Sequence, residues 1–272
     1  YRWIAADQEV KGYTPAEDRA RDYLLGIIEL DDILPYVEQW RGLHIYDRQK
    51  TDRIHSYMQY DQMQLYRRAL VLECLRLQEA YFKQYWVEDG LPELDEPWWN
   101  RHKNMDRRQI EGMLRLLEAE GVPAQYQIEY FAMAYDSNYS SGACDAGSAS
   151  QICVNTLKEM RSGWHSEWVT ASESKSLPER VLAYRVMGEL WEEYKDLLLA
   201  SASESAKQGR EFLRAIYSGH PDWEGDILEM LKSPKGGKRE MAVEVLKSWG
   251  IEKYKEQLGN ALEAEKSKKI KT

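Results

Sequence analysis

Residues 227–269 read ILEMLKSPKGGKREMAVEVLKSWGIEKYKEQLGNALEAEKSKK, two amphipathic stretches joined by a turn and followed by a third. The spacing places the end of the first helix at Leu231, Pro234 in the turn, and Arg239 at the opening of the second helix. Beyond Arg239 come Ala242, Leu246 and the closing pair Trp249-Gly250. Each residue type has a physical task. Ala242 is small enough to let two helices approach, and Leu246 fills the groove one turn on. Gly250 accepts the left-handed backbone that ends a helix without a Cβ penalty.

In that register the stretch resembles the HEAT repeat, a helix-turn-helix unit of about 40 residues that stacks into an α-solenoid. The best such unit spans 223–265. Two positions depart from the pattern: Lys238 stands before the arginine where an apolar residue is usual, and Ser233 stands where an aspartate is common. A looser form, an arginine followed by apolar residues three and seven positions later, recurs at Arg68-Val71-Leu75, Arg107-Ile110-Leu114 and Arg180-Ala183-Met187. The resemblance implies an all-α fold, a HEAT-like α-solenoid or α-α superhelix of stacked antiparallel helix pairs. The ending ALEAEKSKKIKT is similar to repeat edges in large uncharacterised bacterial proteins, which implies a bacterial, cytoplasmic context and brings no catalytic residues.

Composition agrees with an all-α reading. Helix formers dominate nearly every segment, and Pro (8) and Gly (17) are few in 272 residues. The formal net charge of −9 argues against a broad contact with nucleic-acid phosphates, which requires basic surface. The three cysteines, Cys74, Cys144 and Cys153, match neither a metal pair nor a disulfide framework and suit a reducing compartment. No apolar run approaches the roughly 20 residues of a membrane helix, so no membrane contact is expected.

Along the chain, Thr14-Pro15-Ala16-Glu17 opens a helix that should run to Pro35, and a broad apolar segment follows between Asp52 and Trp86. DRRQIEGMLRLLEAEG and AQYQIEYFAMAYD read as a helical hairpin across Val122-Pro123. The Ser-, Gly- and Asn-rich segment 136–151 reads as a loop dividing an N-terminal helical-repeat region, 1–135, from a C-terminal one, 152–272. In the second region helices are expected from Leu177 to about Ala200, from Ser203 to about Tyr217 and from Trp223 to Lys232.

No catalytic, cofactor-binding or metal-ligating set emerges. The five histidines, His44, His55, His102, His165 and His220, occupy separate contexts. Asp136-Ser137-Asn138-Tyr139-Ser140 starts like a calcium loop, but Ser141 replaces the turn glycine and Gly147 the bidentate glutamate. Ser172-Glu173-Ser174-Lys175 has the Ser-x-x-Lys spacing of serine acyl enzymes without their companion motifs.

Ten Trp and 18 Tyr against three Phe do stand out. Aromatics with a polar handle suit half-buried, partner-facing positions. The candidates for partner binding are Trp98, Trp99 and Arg101 in the proline-bounded stretch DEPWWNRHK, and Lys235, Lys238 and Arg239 in the turn of the C-terminal unit. The expected function is a non-enzymatic protein-interaction or scaffold module, a segment of a larger chain that meets a protein partner or an adjoining domain. The alternatives are a HEAT-like nucleic-acid-binding protein or enzyme similar to bacterial alkylpurine DNA glycosylases, and a structural spacer.

Overall fold

The structure is a computed structural model that describes residues 19, 22–23, 26–37, 67–68, 71, 74–75, 107–134 and 146–264. Among these residues there are eleven α-helices and no strand. The chain divides into two compact units, Tyr1–Thr156 and Leu157–Thr272.

In the first unit α1 is Leu30–Ile33, α2 Arg107–Ala119 and α3 Ala124–Ala134. The helix expected to run through to Pro35 is interrupted. Gly26 adopts φ +71° and α1 begins at Leu30, and the guanidinium of Arg68 donates to two carbonyls at the bend, Tyr23 (2.7 Å) and Ile28 (2.8 Å). Arg68 also lies over the Tyr23 ring and pairs with Glu29, so a buried charge has all its needs met. The α2–α3 hairpin forms as the spacing predicts. Gly121 (φ +74°) closes α2, and Val122 donates back to Leu117 while its carbonyl accepts from Gln127. Helix α4, Ala146–Met160, starts inside the segment that composition marks as a loop.

The second unit contains α5 (His165–Ser172), α6 (Leu177–Glu189), α7 (Trp191–Ala200), α8 (Lys207–Ser218), α9 (Glu224–Met230), α10 (Gly236–Gly250) and α11 (Lys255–Ala264). Helices α6, α8 and α10 pack side by side in one row, and α5 and α9 lie against α6 and α10. The single helix expected over 177–200 is two helices broken at Leu190, whose amide bonds to both Val186 and Met187. No Pro marks this break. Just before it, an added Cβ on Gly188 would lie 2.8 Å from the Ile216 side chain, so the end of α6 packs closely against α8.

That break restores a regular period. Ser174, Glu204 and Ser233 each accept a hydrogen bond from the backbone N–H two residues on, at Ser176, Ala206 and Lys235 (3.1, 2.8 and 3.2 Å). Six residues after each stands an arginine: Arg180, Arg210 and Arg239. Three residues beyond the arginines lie Ala183, Leu213 and Ala242, and seven beyond lie Met187, Tyr217 and Leu246, all six fully buried. Twelve residues before them Trp168, Leu198 and Ile227 are equally buried, on the first helix of each pair. Successive equivalents are 30 and then 29 residues apart, shorter than the unit expected from sequence. On α4 the buried Cys153 and Leu157 precede Ala183 and Met187 by the same 30 residues.

The turns carry their own constraint. Gly209 is buried, and a Cβ there would meet Cγ of Glu204 at 2.8 Å. Glu204 is held on several sides and cannot move aside, so Gly209→Ala is expected to cost about 2–3 kcal/mol through overpacking. Denaturant unfolding followed by tryptophan fluorescence measures it; an unchanged midpoint would show that the turn yields.

Candidate interaction surface

The turn 201–206 lies beside the start of α6 through Glu204 and Arg180, and beside the start of α10, where a Cβ on Gly237 would sit 3.3 Å from Cα of Ser203. The N-terminal ends of α6, α8 and α10 therefore share one edge. Each of the three turns displays an exposed lysine: Lys175, Lys207 and Lys235. Of the residues singled out from sequence, Lys235 is exposed on this edge and Lys238 and Arg239 are half-buried.

Arg239 has a local task. Its Nη1 donates to the carbonyls of Ser233 (2.8 Å) and Pro234 (3.1 Å), fastening the turn ahead of its own helix. Arg180 does the same one period pair earlier, donating to Ser174 (2.8 Å) and Lys175 (3.2 Å). A planar guanidinium suits this double acceptance, and lysine would not replace it. Trp98, Trp99 and Arg101 lie outside the described residues, as do Cys144, His44, His55, His102 and the segment 136–140.

Beneath the edge sits the most strongly bonded polar cluster of the unit. Arg180 grips the Glu204 carboxylate with Nε to Oε2 (2.8 Å) and Nη2 to Oε1 (3.2 Å). The Tyr184 hydroxyl donates to the same carboxylate at 3.2 Å, and the Ala206 amide at 2.8 Å. Burial alone would raise the pKa of Glu204, but these bonds and the Arg180 charge outweigh it and hold the carboxyl below its ordinary value. Tyr184 is pushed up to about 12, chiefly by burial and then by the Glu204 charge. Both oxygens of Glu204 are committed to fixed protein donors, so the cluster joins two helix pairs.

At the other ends of these helices the contacts are aromatic. Nδ1 of His165 lies 2.8 Å from the hydroxyl of the buried Tyr194 and 3.4 Å from Glu193. His220 stacks on Trp223 (4.5 Å, 12°) and contacts Trp191, while the ammonium of Lys195 lies 5.7 Å from the Trp223 ring centre. Trp164, Tyr194 and Trp223 repeat with the same 30- and 29-residue spacing, and Tyr254 follows 31 residues on. Two of the histidines thus serve inter-pair packing. Ser172, the first residue of the Ser-x-x-Lys spacing, is buried and its hydroxyl donates to the Val169 carbonyl (2.7 Å). Among the described residues no three His, Cys, Asp or Glu side chains converge as metal ligands, and no helix is long and apolar enough to cross a membrane.

Sequence reasoning missed Glu204, Arg210, Lys175 and Lys207. Arg210-Leu213-Tyr217 satisfies the arginine pattern read elsewhere and would have supplied the period. Glu204 was legible only once that period was known, as the acid one unit before Ser233. No family model matches the chain, and no curated protein or solved structure is significantly similar to it.

Proposed function

We propose that the chain is a non-enzymatic interaction module, a HEAT-like α-solenoid segment that docks an acidic protein surface, of a partner or of an adjoining domain, along its turn edge. The observation that carries this reading is the recurrence of one turn design three times on one edge, each copy displaying a lysine, Lys175, Lys207 and Lys235. The lysines stand five, three and four residues before Arg180, Arg210 and Arg239, close enough in register to share the edge, and a row of like charges on a rigid frame selects an oppositely charged surface. The exposed lysine side chains take no part in the clamp formed by Arg180 and Arg239, which touches Lys175 only at its backbone carbonyl, so binding at the ammonium groups leaves the clamp in place.

The test combines shape with charge. Small-angle scattering of the full chain should give a maximum dimension well beyond that of a compact 272-residue globule. Affinity capture from the native host should enrich partners that a K175E/K207E/K235E variant fails to retain at unchanged circular dichroism. A compact profile, or capture indifferent to the three reversals, would end this reading.

A further inference from the structure

The row α6–α8–α10 contains two seams built from different chemistry. Between α6 and α8 the closing pair is Arg180–Glu204, with side chains 18% and 5% exposed, backed by Ile216 pressed onto Gly188 and by Arg185 lying 5.3 Å from the Phe212 ring centre. Between α8 and α10 the equivalent acid is missing. Ser233 occupies the register position of Glu204, and Lys238 occupies that of Gly209, the residue that leaves room for the glutamate.

Arg210, the counterpart of Arg180, turns outward instead. It pairs with Glu240 (3.2 Å) and Glu244 (3.3 Å) on α10, and Arg214 reaches Glu244 at 4.0 Å. Ser218 bonds Ser248 (2.9 Å) and accepts from Trp249 (2.9 Å), and alongside, Lys195 of α7 pairs with Asp226 of α9 at 2.7 Å. These groups are partly open to solvent, from 18% at Glu240 to 48% at Arg214. Screening acts on such pairs more than on Arg180–Glu204, whose carboxylate is 5% exposed.

We propose that the α8/α10 seam is an electrolyte-sensitive joint: at low ionic strength α9, α10 and α11 stay docked on α8, and at high ionic strength they open as a module while α5–α8 stays closed. The structural cause is the change from Glu204 and Gly209 at one turn to Ser233 and Lys238 at the next. The joint holds whatever the turn edge binds.

Hydrogen exchange on the full chain tests it, comparing about 10 mM with about 1 M NaCl, where the screening length falls from about 30 Å to about 3 Å. Amides of α9–α11 are expected to exchange about threefold faster or more in high salt, while those of α5 and α6 change by less. Arg210→Gln should speed the exchange of α9–α11 at low salt and clearly reduce the salt response, leaving only what Arg214–Glu244 and Lys195–Asp226 contribute. Should that variant fold poorly, the pair E240Q/E244Q removes the same contacts from the other side and carries the same expectation. Equal acceleration of α5–α6 and α9–α11, or a full salt response retained in either variant, would overturn the proposal.

Discussion

Replacing Glu204 by alanine is expected to destabilise the unit Leu157–Thr272 by about 3–5 kcal/mol, the cost typical of stranding one partner of a buried ion pair. The side chain removed is 5% exposed and binds four donors. Its loss leaves Arg180 charged, largely buried and with only the turn carbonyls as acceptors, and it takes one partner from the Tyr184 hydroxyl. Denaturant titration, with hydrogen exchange to assign the loss to α5–α8, measures the effect. A cost under about 1 kcal/mol would mean that the pair is a surface ornament of the fold.

The same group sets an acid dependence. Its folded pKa is depressed, so Glu204 binds its proton less readily in the folded chain than in the unfolded one. The stability it contributes is therefore full above its unfolded value, about 4.5, and is lost as the pH falls through the lower folded value. Glu204→Gln should flatten that part of the acid-unfolding profile while leaving the neutral side unchanged in shape. A profile of unaltered slope below pH about 4.5 would assign acid sensitivity to other carboxylates.

Tyr217→Ala is expected to cost about 3–5 kcal/mol, and Tyr217→Phe about 1 kcal/mol. Tyr217 is fully buried seven residues beyond Arg210, its ring lies 6.1 Å from that of Trp223, and its hydroxyl donates to the Leu198 carbonyl on α7. The alanine variant removes one side of the layer between neighbouring helix pairs and opens a cavity, whereas phenylalanine keeps the packing and forfeits one bond. Since the Tyr217 contacts run to Leu198 on α7 and to Trp223 ahead of α9, hydrogen exchange should rise most in α7–α9 and least in α5. Equal costs for the two substitutions would show that the hydroxyl bond, not the ring, holds α7 to α8.

The all-α class was legible from composition, and the α9–α10 hairpin from the residues around Pro234 and Gly250. Gly250 does take a positive φ, +123°, and Ala242 and Leu246 are buried as the spacing requires. What stayed hidden was set by tertiary contacts. The break at Leu190 has no proline and no capping side chain, so periodicity alone joins α6 to α7. Reading them as one helix conceals a unit and makes the arginine spacings look irregular. Glu204 reads as one more acid in a chain with 46 Asp and Glu, and only contact with Arg180 distinguishes it. Arg239 reads as surface charge for a partner, yet its Nη1 fastens its own turn, while Lys175 and Lys207 gain meaning only through the edge they share with Lys235.

If residues 165–250 are copies of one unit in fixed register, a single period can be excised without loss of the fold. Removing residues 180–209 joins Glu179 to Arg210 and deletes 30 residues while keeping every later helix in register. The shortened chain should still unfold cooperatively, with Arg210 taking over the turn carbonyls that Arg180 held, whereas removal of only 195–209, half a period, abolishes the transition. Loss of cooperative unfolding in the full-period excision, with the half-period one no worse, would contradict it.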